Sequence, residues 1–278
     1  MRRRREAGKG VVRVLANKTD IMKHELEEIP ANAPLKMGYW RGTSDKLVVV
    51  LSGVGQDPDE YPPFEFFGSA TEDQKNHALF ISDRSRSWMN GDGISAQIVD
   101  KINEVAARIG SPDIHLMGNS MGGTMALFLK DQVRAKTVLA FVPQFSVSPK
   151  VVPNEDRWRK YRKHIKDYKF PSVSLKSNPE QTVFILHGDT PKEMMHAQKF
   201  PKIRGVRHFI IPGEGHDLCK KLKRQRRLSG LISAALDDRP YKFRRLINQI
   251  GGVFLADYEP AHPSADAAES QKRASAHK

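Results

Sequence analysis

Leu47-Val48-Val49-Val50-Leu51 is a continuous apolar run without polar alternation, the pattern of a β-strand covered on both faces. It stops at Ser52-Gly53-Val54-Gly55. Similar runs recur at Ala78 to Ser82, Ile114 to Met117, Thr137 to Val142, Thr182 to Leu186 and His208 to Ile211. Between them lie segments of helical character. Ile94, Ile98, Ile102, Val105 and Ile109 mark one face of an amphipathic helix that Gly110 stops. Met121 to Lys130 is helical in composition, and a Lys/Arg-rich helix is expected from about Leu218 to Leu236. Strands separated by helices imply parallel crossovers, so the expected fold is α/β: a predominantly parallel twisted sheet flanked by helices. Val11 to Leu15 and Met37 to Arg41 are further candidate strands ahead of this core.

Residues 144 to 180 interrupt the alternation and read as a small insertion over one end of the sheet. Residues 1 to 10 read as a basic tail, 11 to 257 as the folded domain, and 258 to 278, rich in Ala, Ser, Pro and charge, as a disordered tail. A single cysteine, Cys219, excludes an internal disulfide and multi-cysteine metal sites. The basic start lacks the apolar segment of a secretory signal, and the apolar runs fall far short of a membrane span, so a cytoplasmic location is expected.

Gly118-Asn119-Ser120-Met121-Gly122-Gly123 follows a predicted strand and opens a predicted helix. A sharp strand-to-helix turn projects its central side chain outward, and the helix N-terminus aims free N–H groups at charge developing beside it. A serine there needs a base to remove its proton as it attacks. Two later segments supply candidates. Val183-Phe184-Ile185-Leu186-His187-Gly188-Asp189 is a strand and a turn bearing Asp189; Phe209-Ile210-Ile211-Pro212-Gly213-Glu214-Gly215-His216 is a strand and a glycine-rich loop bearing His216.

In these three motifs the chain resembles the α/β-hydrolase superfamily, whose elements run in this order through most of residues 37 to 236. The resemblance implies Ser120 as nucleophile, His216 as base and Asp189 as the acid that orients it, with no metal or organic cofactor. It implies an oxyanion site built from the Met121 amide and one amide of the loop after residues 47 to 51, either Val54 or Gly55. Ser52 stands where the family more often has His before Gly. Asp217 is expected to cap the following helix, and His187 to pack nearby without acting as base.

The implied activity is a carboxylic ester hydrolase working through an acyl-enzyme. Two alternatives stay open: transfer of the acyl group to a polysaccharide or lipid hydroxyl, and a non-catalytic protein that binds an anionic partner. The net charge of +14 favours anionic ligands in general. Arg84, Arg86 and Trp88 follow the strand at 78 to 82 and are candidate contacts for a small-molecule, lipid or glycan ester. Seven Lys/Arg against one Asp in residues 157 to 169, and six cations in residues 220 to 227, form two basic clusters. Trp158, Tyr161, Ile165 and Tyr168 recur at helical steps within the first. Neither cluster belongs to a nucleic-acid-binding motif, and the sequence is silent on oligomeric state.

Overall fold

A computed structural model describes residues 26 to 259 except residue 111. The candidate strand Val11 to Leu15 lies outside the described residues. The strands are β1 (Glu27–Ile29), β2 (Leu35–Trp40), β3 (Lys46–Leu51), β4 (His77–Asp83), β5 (Asp113–Asn119), β6 (Thr137–Phe141), β7 (Thr182–Gly188), β8 (Val206–Ile211) and β9 (Val253–Phe254). The helices are α1 (Phe67–Thr71), α2 (Ile94–Ile109), α3 (Met121–Leu129), α4 (Arg159–Arg162), α5 (Pro191–Ala197), α6 (Leu218–Arg224), α7 (Leu228–Leu236) and α8 (Pro240–Asn248).

Among the described residues the strands form one nine-stranded sheet in the order β1-β2-β4-β3-β5-β6-β7-β8-β9. The strands from β4 to β8 run parallel, whereas β1, β2 and β9 pair antiparallel at the edges. The two shortest strands, β1 and β9, were not legible as apolar runs.

Alternate side chains of each central strand enter opposite cores, which is why these strands are apolar throughout. Leu47, Val49 and Leu51 of β3 face the layer built from Ile98, Ile102 and Val105 of α2 and Met125 of α3. Val48 and Val50 face the other, with Leu222 of α6, Leu231 of α7 and Phe243 of α8. Each such side chain, removed from water, contributes roughly 1.5–3 kcal/mol before entropy is counted.

The expected single helix from 218 to 236 is two. It breaks at Gln225 to Arg227, where Arg226 adopts φ 57°, and this lets Leu222 and Leu228 both reach the core. The insertion between β6 and β7 carries only the one-turn helix α4. Its aromatic stripe nevertheless packs inward: Trp158 is buried, and Tyr161, Ile165 and Tyr168 lie against the core. No helix among the described residues is long and apolar enough to cross a membrane.

Candidate active site

The parallel strands end together at one rim, where the chain leaves β3 into Ser52, β4 into Arg84, β5 into Ser120, β6 into Val142, β7 into Asp189 and β8 into Pro212. This is the crevice that a parallel sheet opens beyond its carboxyl ends. At the end of β5 the chain reverses sharply. Ser120 adopts φ 55° and ψ −118°, a strained conformation for a residue with a side chain. Its N–H donates to Phe141 O at 2.8 Å, and Thr124 N–H donates to its carbonyl at 3.0 Å, locking the turn from both sides. The flanking glycines are required by space. A Cβ at Gly122 would lie 1.9 Å from Leu51 O, and one at Gly118 2.3 Å from the Gly122 carbonyl carbon.

The loop after β8 returns His216 to this turn. His216 Nε2 lies 2.8 Å from Ser120 Oγ, and Nδ1 lies 2.9 Å from Glu193 Oε1. The carboxylate can only accept, so Nδ1 carries the proton and donates to Glu193. Nε2 then offers its lone pair to the serine hydroxyl, which donates to it. Ser120 Oγ in turn accepts from Gln144 Nε2 at 3.1 Å. Gln144 is held in place: its Oε1 accepts from Trp88 Nε1 at 2.8 Å, and its N–H donates to Thr124 Oγ1 at 2.8 Å.

The acid facing His216 is therefore Glu193 and not Asp189, which corrects the sequence-based assignment. Asp189 Oδ1 accepts from Gly213 N–H at 2.9 Å and Oδ2 accepts from the Tyr258 hydroxyl at 3.1 Å. The reason lies one residue earlier. Gly188 has no Cβ, so the Glu214 backbone packs against it, where a Cβ would sit 2.0 Å from Glu214 O; Asp189 N–H then bonds that same carbonyl at 3.1 Å. The Asp189 carboxylate is thereby turned into the Gly213 turn. Thr190 and Pro191 start α5, and Glu193 in its first turn reaches the imidazole. The signal available in the sequence was Thr190-Pro191 followed by an acid, the signature of a helix start.

Glu193 is almost wholly buried, which works against its charge. The hydrogen bonds from His216 and Arg157 and the nearby imidazoles outweigh that, holding its acidity at about 2. Arg157, from the insertion, places Nη1 2.5 Å from Glu193 Oε1 and Nη2 2.6 Å from Glu155 Oε2. Glu155 also accepts from His196 Nε2–H at 2.8 Å, a direction fixed because His196 Nδ1 accepts from Phe145 N–H at 3.2 Å. The insertion thus supplies a buried cation to the acid of the site, a role that the sequence reading did not assign to Arg157.

The remaining expectations divide. Met121 and Val54 keep their backbone N–H groups without a protein partner among the described residues. Gly53 N–H is occupied, donating to Glu65 Oε2 at 2.9 Å, and Gly55 serves the loop with φ 69°. Burial pushes the Glu65 carboxyl up. Arg86 and Trp88 do not face the crevice: they are 1% and 0% exposed. All five N–H groups of Arg86 donate to backbone carbonyls, those of Val54, Asp57, Pro58, Glu60 and Arg84 at 2.6–3.0 Å. It is a strut for the loop that carries Val54. Arg84 is exposed, its guanidinium 5.8 Å from the Tyr61 ring centre. His187 donates from Nε2 to Pro143 O and accepts at Nδ1 from His208, both at 2.8 Å, with no contact to Ser120. Asp217 occupies the N-cap position of α6, but its side chain makes no cap hydrogen bond. The described residues contain no cluster of potential metal ligands.

No family model and no curated protein matches the chain. Solved structures do. The capsule O-acetyltransferase of Neisseria meningitidis serogroup A aligns with 75% of this chain and 94% of its own at 14% identity, with a TM-score of 0.52. An arylesterase aligns with 77% of this chain and 83% of its own at 15% identity, with a TM-score of 0.51. Together with the sheet order and the strand-end turn, these likenesses show the fold.

Proposed function

The α/β-hydrolase fold, with a serine, an imidazole and a carboxylate in one hydrogen-bonded line at its carboxyl rim, is the premise from which we propose a function: carboxylic ester hydrolysis through an acyl-enzyme. The observation that carries the reading is the 2.8 Å contact between Ser120 Oγ and His216 Nε2, with Glu193 on the opposite nitrogen.

In this reading Ser120 Oγ attacks the ester carbonyl carbon while its proton passes to His216 Nε2. Glu193 stabilises the imidazolium that forms and keeps the ring in the tautomer that can accept. The carbonyl oxygen, now an oxyanion, receives the Met121 and Val54 N–H groups; loss of one such donor typically costs on the order of 10²-fold in rate. The imidazolium then protonates the departing alkoxide. Water attacks the acyl-enzyme with His216 as base, releasing the carboxylic acid and restoring the serine. Gln144 keeps the hydroxyl turned toward His216 by donating to its second lone pair.

A second reading uses the same steps with a hydroxyl compound in place of water. It is favoured by the likeness to an O-acetyltransferase, and the chemistry up to the acyl-enzyme is identical. Turnover of p-nitrophenyl acetate by the native chain, abolished in Ser120→Ala with the fold retained, tests the shared steps. Product analysis with added glycerol or sugar then separates hydrolysis from transfer. Undiminished turnover in Ser120→Ala would reject both.

A further inference from the structure

The insertion holds two donors, one of them packed against His216, that nothing among the described residues answers. Trp158 and Arg162 are each only 8% exposed. Among the described residues, Trp158 Nε1 and Arg162 Nη1 are buried without an acceptor. Arg162 N–H donates to Trp158 O at 2.9 Å, closing a helical turn. That closure stacks the two side chains one turn apart on the same side of the insertion. The Trp158 ring lies against the imidazole of His216, with ring centres 5.2 Å apart, so this side adjoins the reacting groups.

Two other guanidinium groups near the rim are answered by the protein, whereas Arg207 Nε, like Arg162 Nη1, is buried without an acceptor among the described residues. Arg86 has five carbonyl acceptors, and Arg157 has two carboxylates. Arg162 has no salt bridge among the described residues. Its surroundings are also short of anions. Of the seven Lys/Arg in residues 157 to 169, only Arg157 and Lys169 make salt bridges among the described residues. Arg159, Lys160, Lys163 and Lys166 are exposed, so a positive field surrounds this side of the crevice.

A guanidinium and an indole N–H donate and never accept, so the group that satisfies them must consist of acceptors. A carboxylate or phosphate supplies paired oxygens and the compensating charge. We propose that Trp158 Nε1 and Arg162 Nη1 form an anion subsite beside His216, and that the ester this chain cleaves or transfers carries a carboxylate or phosphate that docks there. The proposal rests on the acyl-enzyme reading for its reaction, and on the two unanswered donors for its specificity.

The test compares p-nitrophenyl butyrate with mono-p-nitrophenyl succinate, and glycerol monoacetate with its 3-phosphate, reading the ratio of kcat/KM for each anionic ester to its neutral counterpart. The first pair places the charge on the acyl side, the second on the alcohol side. The native chain is expected to favour one anionic ester by at least tenfold, mainly through KM. Arg162→Met is expected to bring that ratio close to one. If Arg162→Met does not fold, Trp158→Phe removes only the indole N–H and is expected to lower the ratio several-fold. A ratio near one in both native pairs, or a ratio unchanged in the variant, overturns the subsite. Calorimetry of succinate and inorganic phosphate on Ser120→Ala, with and without Arg162→Met, separates this outcome from failure of the reaction. Saturable binding lost with Arg162 supports the subsite even if no ester is turned over, and absence of binding contradicts it.

Discussion

Glu193 Oε1 lies 2.9 Å from His216 Nδ1, although Asp189 stands four residues closer to the end of β7. The two acids do different work. Asp189 ties the turn before His216 to Tyr258, and Glu193 holds the imidazole. Glu193→Gln is expected to lower kcat by about 10²–10⁴-fold, as loss of the orienting acid does in serine hydrolases. Asp189→Asn is expected to leave kcat within about threefold and to cost about 1 kcal/mol of stability through weakened hydrogen bonds. Steady-state kinetics and thermal melts of the two variants decide between the acids; the reverse ranking would restore Asp189.

Gln144 Nε2 shares Ser120 Oγ with His216 Nε2, at 3.1 Å and 2.8 Å. Gln144→Met keeps the volume and removes the donor. The expected result is a fall in kcat of about tenfold, the equivalent of one ordinary hydrogen bond. The fall should appear in kcat and leave KM nearly unchanged, because the contact is to the nucleophile. A change confined to KM would place Gln144 on the substrate instead.

Arg86 is expected to act on stability before it acts on substrate. Arg86→Met leaves five backbone carbonyls of the loop around residues 54 to 60 and of Arg84 without their donor. The expected loss is at least about 3 kcal/mol, since each buried polar group left unpaired costs on the order of 1–3 kcal/mol where water cannot reach it. Chemical denaturation measures it. Native stability with altered substrate preference would return Arg86 to the crevice.

How much could be read in advance follows from where each signal resides. The order of strands was legible because a strand buried on both faces must be apolar at every position, as Val48, Val49 and Val50 are. Ser120 was legible because close backbone approach writes glycine at Gly118 and Gly122, and His216 because the loop after β8 turns through Gly213 at φ 74°. Glu193 was obscured because its reach depends on the helical register that Thr190 and Pro191 set, and an acid in a first helical turn is common for its own electrostatic reasons. Arg86 and Trp88 were misplaced because distant segments create their burial: the loop around residues 54 to 60 takes Arg86, and Gln144 and Trp158 take Trp88. Their sequence neighbourhood, Asp83 to Trp88, looks like any polar turn at the rim of a sheet. Arg157 was hidden in a run of cations whose other members are mostly exposed.

Acid stability should fall in an identifiable window. Burial lowers His187 and His115 each to about 4, from an ordinary 6.5. Below 6.5 the unfolded chain binds protons that the folded chain does not, so stability is full above that pH and declines as pH falls toward 4. Each ring contributes a loss of roughly 3 kcal/mol across the window. Glu193 acts lower: its stabilisation is complete above 4.5 and is lost as pH falls toward about 2. Melts of His187→Asn between pH 7 and 4 should show a shallower decline than the native chain; identical slopes would mean that the ring is not held neutral.

Activation of Ser120 by His216 is tested most directly by a fluorophosphonate probe, with the adduct located by peptide mass spectrometry. The native chain is expected to carry one adduct, on Ser120, at a rate that falls by at least about 10³-fold in His216→Ala, within the range lost when a member of such a triad is removed. An unlabelled native chain, or Ser120 labelling at equal rates with and without His216, would contradict the account.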